Sequence, residues 1–401
     1  MASATFTRLQ HRAALEDLEV VTGIDGEGDL TAKLSEVDDE QVGVIEGEVA
    51  EIEAEVVEAT QDAESLDDEA EKVEVITEAV EAFAAEGGIH PQTARLLHNT
   101  LAENMASLGM ETYSLNANNF DGAAGRENAT VPALENIKEY GAKIITWIKE
   151  TLKRLAGLLS DLWSKVSLQA KRVEARAKKI IAAVGEVKNT GAVEVKVGNN
   201  PYLYDARSGA FLGNSVGNVL KKFVGDLGKY YAAAPAIAKS GTVSVGESAS
   251  KGPFDGDQKV VARLPSGKGV FVKVADGVFS VAVGGSVEIK LTATDNMTAS
   301  DAKGIATGVS EAVKAFAALK PVSEAVKTAE AELTKTVKDG EQDAVKAARK
   351  TVAALRTLTS KPAGINAAFL SACSANLALA GRILSAAGKG DKKKKDEAKK
   401  D

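Results

Sequence analysis

From Val42 onward, apolar residues return every three or four positions: Val42, Ile45, Val49, Ile52 and Val56, then Ala63, Leu66, Ala70, Val73 and Val80. Steps of that size place them on one face of a helix. The remaining faces are nearly all Glu and Asp. Like charges at i, i+4 spacing repel, so this helix cannot stand alone. It requires a basic partner or a bundle.

The chain supplies such a partner. Residues 1–135 carry 31 acidic and six basic side chains, a net of −25, whereas residues 136–401 carry 26 acidic and 43 basic ones, a net of +17. The overall charge of −8 averages two regions of opposite character. Such asymmetry marks a nucleic-acid or membrane partner, or a segment that shields the rest of its own chain. The reversal falls in TVPALENIKEY, residues 130–140.

At 401 residues the chain can hold two or three domains. Aromatics make up 4%, which favours helices with thin cores over an aromatic-packed enzyme fold. Residues 1–30 are polar and read as poorly ordered. GGIHPQ (87–92) breaks the acidic helix, Pro91 fits a first helical position, and TARLLHNTLAENMASLG forms a short helix ending near Gly109. Residues 110–132, rich in Asn, Gly and Ala without periodicity, read as an exposed linker. In the next region Ile144, Ile148, Leu152, Leu155, Leu159, Leu162 and Val166 form one stripe, with Trp147 and Trp163 beside it and Lys and Arg elsewhere. That predicts a long basic amphipathic helix or helix pair within 136–190. AVEVKV, KVVARL, GVFVKV, GVFSVAV and SVEIKLTA then alternate between turn residues, and NVLKKFVGDLGKYYAAAPAIAK inserts a helix. Residues 191–298 therefore read as a small α+β domain. Residues 299–388 return to helices with breaks near Pro321, Gly340 and Pro362, and 389–401 form a solvated, disordered Lys-rich tail. The fold class is mainly α: an acidic helical leader, a basic amphipathic helix, a short-stranded sheet insertion and a C-terminal helical bundle.

Several chemistries are excluded. His11, His90 and His98 all lie in the acidic segment, so the basic region holds neither a Ser/His/Asp or Cys/His nucleophilic system nor an imidazole zinc site. The single cysteine, Cys373, lies in the apolar run SACSANLALA and reads as a buried structural thiol. SGKG (266–269) lacks the spacing of a phosphate-binding loop and reads as a hairpin turn. Asp67, Asp68 and Glu69 lack calcium-loop spacing. No run approaches 18 uninterrupted apolar residues, which argues against a transmembrane helix, and MASATFTRLQHR has no apolar run after its arginines, unlike a secretory signal. No cofactor, metal or small-molecule motif is legible, and the expectation is a protein that is not an enzyme.

Three features can carry function. A small residue, any residue and then Glu occurs at Ala133-Leu134-Glu135, at Gly109-Met110-Glu111 and at Gly125-Arg126-Glu127, in or beside the expected linker. The plain reading of Glu135 is a first-turn glutamate favoured by the helix dipole. The basic helix presents Lys143, Trp147, Lys149, Lys153, Arg154, Trp163, Lys165, Lys171 and Arg172. These suit a membrane surface, with Trp at the interface, or nucleic-acid phosphates without sequence preference; the plain alternative is a core helix with a solvated basic face. DKKKKDEAKK (391–400) adds general attraction for polyanions.

An acidic Glu/Val/Ala leader, the turn GGIHPQTARLLHNTL, a linker, and ALENIKEY opening a Trp-containing basic helix together resemble the internal head proteins of large contractile-tailed bacteriophages. The resemblance covers roughly residues 40–165. It implies that a viral prohead protease removes the leader by cutting after Glu, with Ala133, Leu134 and Glu135 as the recognition triplet and Asn136 as the first mature residue. Glu111 and Glu127 would be earlier cuts. It also implies residence in the capsid with DNA, capsid or other inner head proteins as partners, and host cytoplasm as a later location after ejection. The alternatives are a scaffold or core protein degraded on maturation, a membrane-active ejected protein, and a head-borne enzyme with its chemistry in 191–298.

Overall fold

The computed structural model describes residues 30–107, 117–188, 190–198, 200–205, 208–275, 278–285, 293–319, 322–339, 342–362 and 364–397. The expected disorder of residues 1–30, the candidate Glu111, and all of SVEIKLTA except Ala293 lie outside them or at their edge. The chain divides into two compact units, Met1–Val42 and Gly43–Asp401.

The acidic stripe is one helix, α1 (Leu30–Ala85). Val56, Ala63, Leu66, Ala70, Val73 and Val80 are buried as the periodicity requires, and so are Ala59 and Ile76; the side chains of Val42, Ile45, Val49 and Ile52 lie outside the described residues. A turn at Glu86–His90 leads to α2 (Pro91–Ser107), which starts at the proline. After a short 3-10 turn (Ala117–Phe120) comes α3 (Gly122–Val184), the axis of the larger unit. Every member of its apolar stripe from Ile144 to Val166 is buried.

The expected linker is corrected here. Its second half, from Gly122, belongs to α3, and Pro132 lies inside that helix. Tertiary anchors override the weak local propensity: Phe120 is buried, and the Thr130 hydroxyl donates to the Arg126 carbonyl (2.6 Å) while accepting from the buried Ile89 amide (2.9 Å).

The remaining helices are α4 (Val216–Ser240), α5 (Ala299–Ala317), α6 (Val322–Asp339), α7 (Gln342–Ser360) and α8 (Gly364–Glu397). The breaks fall at the three predicted places. The Lys-rich end is not wholly a separate tail, since α8 carries it as helix as far as Glu397. Helices α5, α6 and α8 pack on α3, and α4 packs between α5 and α7. Aromatic rings tie these layers together: Trp163 to Phe316 (5.4 Å between centroids), Phe316 to Phe369 (4.6 Å) and Phe369 to Phe223 (5.6 Å). The Tyr230 hydroxyl donates to the Leu358 carbonyl (2.7 Å), joining α4 to α7. Residues 343–388 include a stretch long and apolar enough to cross a membrane by length and composition; 61% of it is buried inside the fold.

Two small antiparallel sheets decorate this helical body. Strand β1 (Val193–Gly198) pairs with β6 (Ala293–Met297), and β2 (Glu247–Ala249), β3 (Gln258–Arg263), β4 (Gly269–Ala275) and β5 (Val278–Gly284) follow in order. SGKG closes the β3–β4 hairpin: the Leu264 amide donates to the Lys268 carbonyl (2.7 Å), and Gly267 takes φ +83°. The sheets rest on the helices, with β1 against α8, β3 against α4 and β5 against α7.

Candidate functional site

The acidic and basic helices touch at several places within the larger unit. Within the larger unit α1 runs antiparallel to α3, since Glu81 pairs with Lys138 (2.8 Å), Val73 lies opposite Gly141, and Asp62 reaches Arg154 (3.6 Å). Farther along the chain, α7 grips the same acidic helix: Glu74 accepts from Arg349 (3.3 Å) and lies 3.5 Å from Lys346. The opposite charges that the two segments carry in sequence are therefore in contact.

Magnitudes decide what holds them. Exposed ion pairs contribute about 0–1 kcal/mol each. Each buried Val, Leu or Ile contributes about 1.5–3 kcal/mol, and α1 buries Val56, Leu66, Val73, Ile76 and Val80. Apolar burial docks the acidic helix, and charge pairing neutralises the face it covers. The seam also has a flaw. Glu69 Oε2 and the Tyr140 hydroxyl are buried there without a hydrogen-bond partner among the described residues. Burial, reinforced by the Glu69 charge, pushes the Tyr140 hydroxyl up to about 12.

The candidate contact residues separate into three groups. Trp147 and Trp163 are half-buried and pack against the hydrophobic core, Trp163 on Phe316. Lys143 and Arg154 are engaged by Glu139 (3.0 Å) and Asp62, Lys149 is half-buried, and Lys165 is half-buried with a partner of its own. Lys153, Lys171 and Arg172 are exposed and have no ion pair among the described residues. They are the exposed cations of this set without such a pairing.

Two of the three processing triplets lie in described structure, both in α3. Ala133, Leu134, Glu135 and Asn136 lie in α3; Ala133 is 2% exposed and Leu134 packs on the core, although Glu135 is exposed. Gly125-Arg126-Glu127 forms the first turns of the same helix, with Arg126 bonded to His90 (3.3 Å). A further triplet of the same type, Ala84-Ala85-Glu86, ends α1 and enters the exposed turn. Its sequence signal was the Gly87-Gly88 pair directly after it.

Other features do not form a chemical site. The Cys373 thiol is buried, and burial pushes it up, away from reactivity. A groove between α4 and β3 is lined by Lys222 and Lys229, but both pair with Asp226 (2.7 and 3.4 Å). Among the described residues no group of His, Cys, Asp and Glu could hold a metal ion.

Comparison with known families gives the decisive observation. The model of the phiKZ-like phage internal head proteins matches residues 45–382, from the acidic helix through most of α8. The chain belongs to that family. No curated protein and no solved structure matches it. The family places this internal head protein inside the phage head as a structural component of the virion.

Proposed function

We propose that this internal head protein is made with an acidic N-terminal helix that shields a basic body, and that a viral head protease cuts the chain between them after Glu. The body is then retained beside packaged DNA. The observation that carries this reading is the seam itself: α1 covers α3 with a buried apolar stripe and sets Asp62, Glu74 and Glu81 against Arg154, Arg349 and Lys138. Before packaging, such a cover keeps a body of strongly positive charge neutral and soluble among other head proteins. Once DNA arrives, Lys153, Lys171 and Arg172 and the uncovered cations meet phosphates without base contacts. The role is structural rather than catalytic, and passage into the host cytoplasm with DNA would follow from the same association.

Intact mass of the protein taken from mature heads tests the processing. A mass well below the 41.7 kDa of the full chain is expected. The full-length mass in infectious particles refutes it.

A further inference from the structure

We propose that the bond cut is Glu86–Gly87, in the turn that ends α1; this rests on the processing read above and names its site. Between residues 82 and 135, four small-x-Glu triplets end at Glu86, Glu111, Glu127 and Glu135, and three of them lie in described structure. A protease needs its substrate backbone extended and open, and helical segments must unwind before they are cut. Glu135 sits in the interior of α3, behind buried Ala133, and Glu127 sits in a segment pinned by the Thr130 bonds to Arg126 and Ile89. Glu86 differs in each respect. Residues 84–87 are all exposed, and the helix has ended at Ala85. Gly87 takes φ +100°, and an added Cβ there would meet nothing within 4 Å.

The next residues are held firmly to the body. An added Cβ on Gly88 would lie 2.7 Å from the Arg126 carbonyl, and Ile89 is buried. The scissile bond therefore lies in the exposed cap of α1, where the Gly88 amide donates to the Phe83 carbonyl (2.8 Å), directly before an anchored turn. Hydrolysis adds water across it: the Glu86 carbonyl carbon gains the hydroxyl and ends as a carboxylate, and the Gly87 nitrogen leaves as a protonated amine. The product starting at Gly87 keeps α2, the 3-10 turn and all of α3, whereas a cut at Glu135 would sever α3.

Charge supports the same division. Residues 1–86 carry 26 acidic and four basic side chains, a net of −22, and residues 87–401 carry 31 and 45, a net of +14. The segment 87–135 contributes only −3, so the reversal is already complete at Glu86.

The test reads the first residue of the chain in mature heads by peptide mass. A start at Gly87 is expected. A shortened chain that begins anywhere else, at Thr112, Asn128 or Asn136 included, overturns this assignment while leaving processing intact; an uncut chain overturns both. In solution, brief treatment of the full chain with a glutamyl endopeptidase should cut after Glu86 about tenfold faster than after Glu127 or Glu135. Glu86→Gln should abolish that cut while leaving the melting temperature unchanged, because the side chain is exposed. Faster cutting at Glu127 or Glu135, or an unaltered cut in the variant, contradicts the assignment.

Discussion

Two glycines show how single residues set this fold. Helices α4 and α5 cross where Gly217 faces Gly308, and a Cβ built on either would lie 2.4–2.6 Å from the other's Cα. Backbone has no soft side chain to yield there. Gly308→Ala should destabilise the protein by about 1–3 kcal/mol, as overpacking does. Gly225, exposed in the same α4 with nothing within 4 Å of its Cβ position, is the control. Gly225→Ala should stabilise by about 0.5–1 kcal/mol, because it removes unfolded-state freedom and improves helix propensity. Urea unfolding of the two variants should move the midpoint in opposite directions; movement in the same direction would refute the crossing. At this scale the sequence is mute, since nothing in VGNVLKK or GIATGVSE distinguishes a contact glycine from a solvent one. The burial of Cys373 was legible, because it lies on a helix of mostly small and apolar residues.

Among the elements, the start of α5 is the best specified. Thr298 is its N-cap: its hydroxyl accepts from the Asp301 amide (3.2 Å), and the Asp301 carboxylate accepts from the Thr298 amide (2.7 Å). Burial pushes the Asp301 carboxyl up, but the Thr298 bonds and the Asn214 amide (2.6 Å) outweigh it, so the net shift is downward. A lowered carboxyl stabilises the fold above its ordinary value of about 4, and that contribution is lost as the pH falls through the lowered value. Thr298→Ala should cost about 1 kcal/mol at neutral pH. Asp301→Asn should also lose stability at neutral pH and show a flatter acid limb in thermal melts; an unchanged acid limb would contradict the box. Long periodic elements such as α1 and the stripe of α3 were readable from spacing alone. The first turns of α3 were not, because GAAGRENATVP has linker composition and Pro132. They are helical because Phe120 is buried beside them and the distant Ile89 amide bonds Thr130, a contact that no local window contains. Strand β6 was missed for a related reason: ATDNM has no alternation and is a strand through its pairing with β1.

For the whole molecule, the sequence showed that two regions of opposite charge exist, and the structure shows them in contact. What spacing could not convey is that the acidic segment contributes to the same hydrophobic core as the basic one. Cutting the chain removes the covalent tether of α1, so that DNA phosphates can compete for the cations it covers and displace it. The candidate cations were partly legible: Lys153, Lys171 and Arg172 are exposed, but Trp163 between them packs on Phe316 in the core. The measurement that most directly tests shielding compares duplex DNA binding by the intact chain and by the chain cut after Glu86, from about 50 to 200 mM salt. The intact chain should bind weakly. The cut chain should bind at low salt as residues 1–86 dissociate, and its affinity should fall steeply with salt whatever the DNA sequence. Equal binding by the two forms, or DNA bound with the acidic helix still in place, would contradict it.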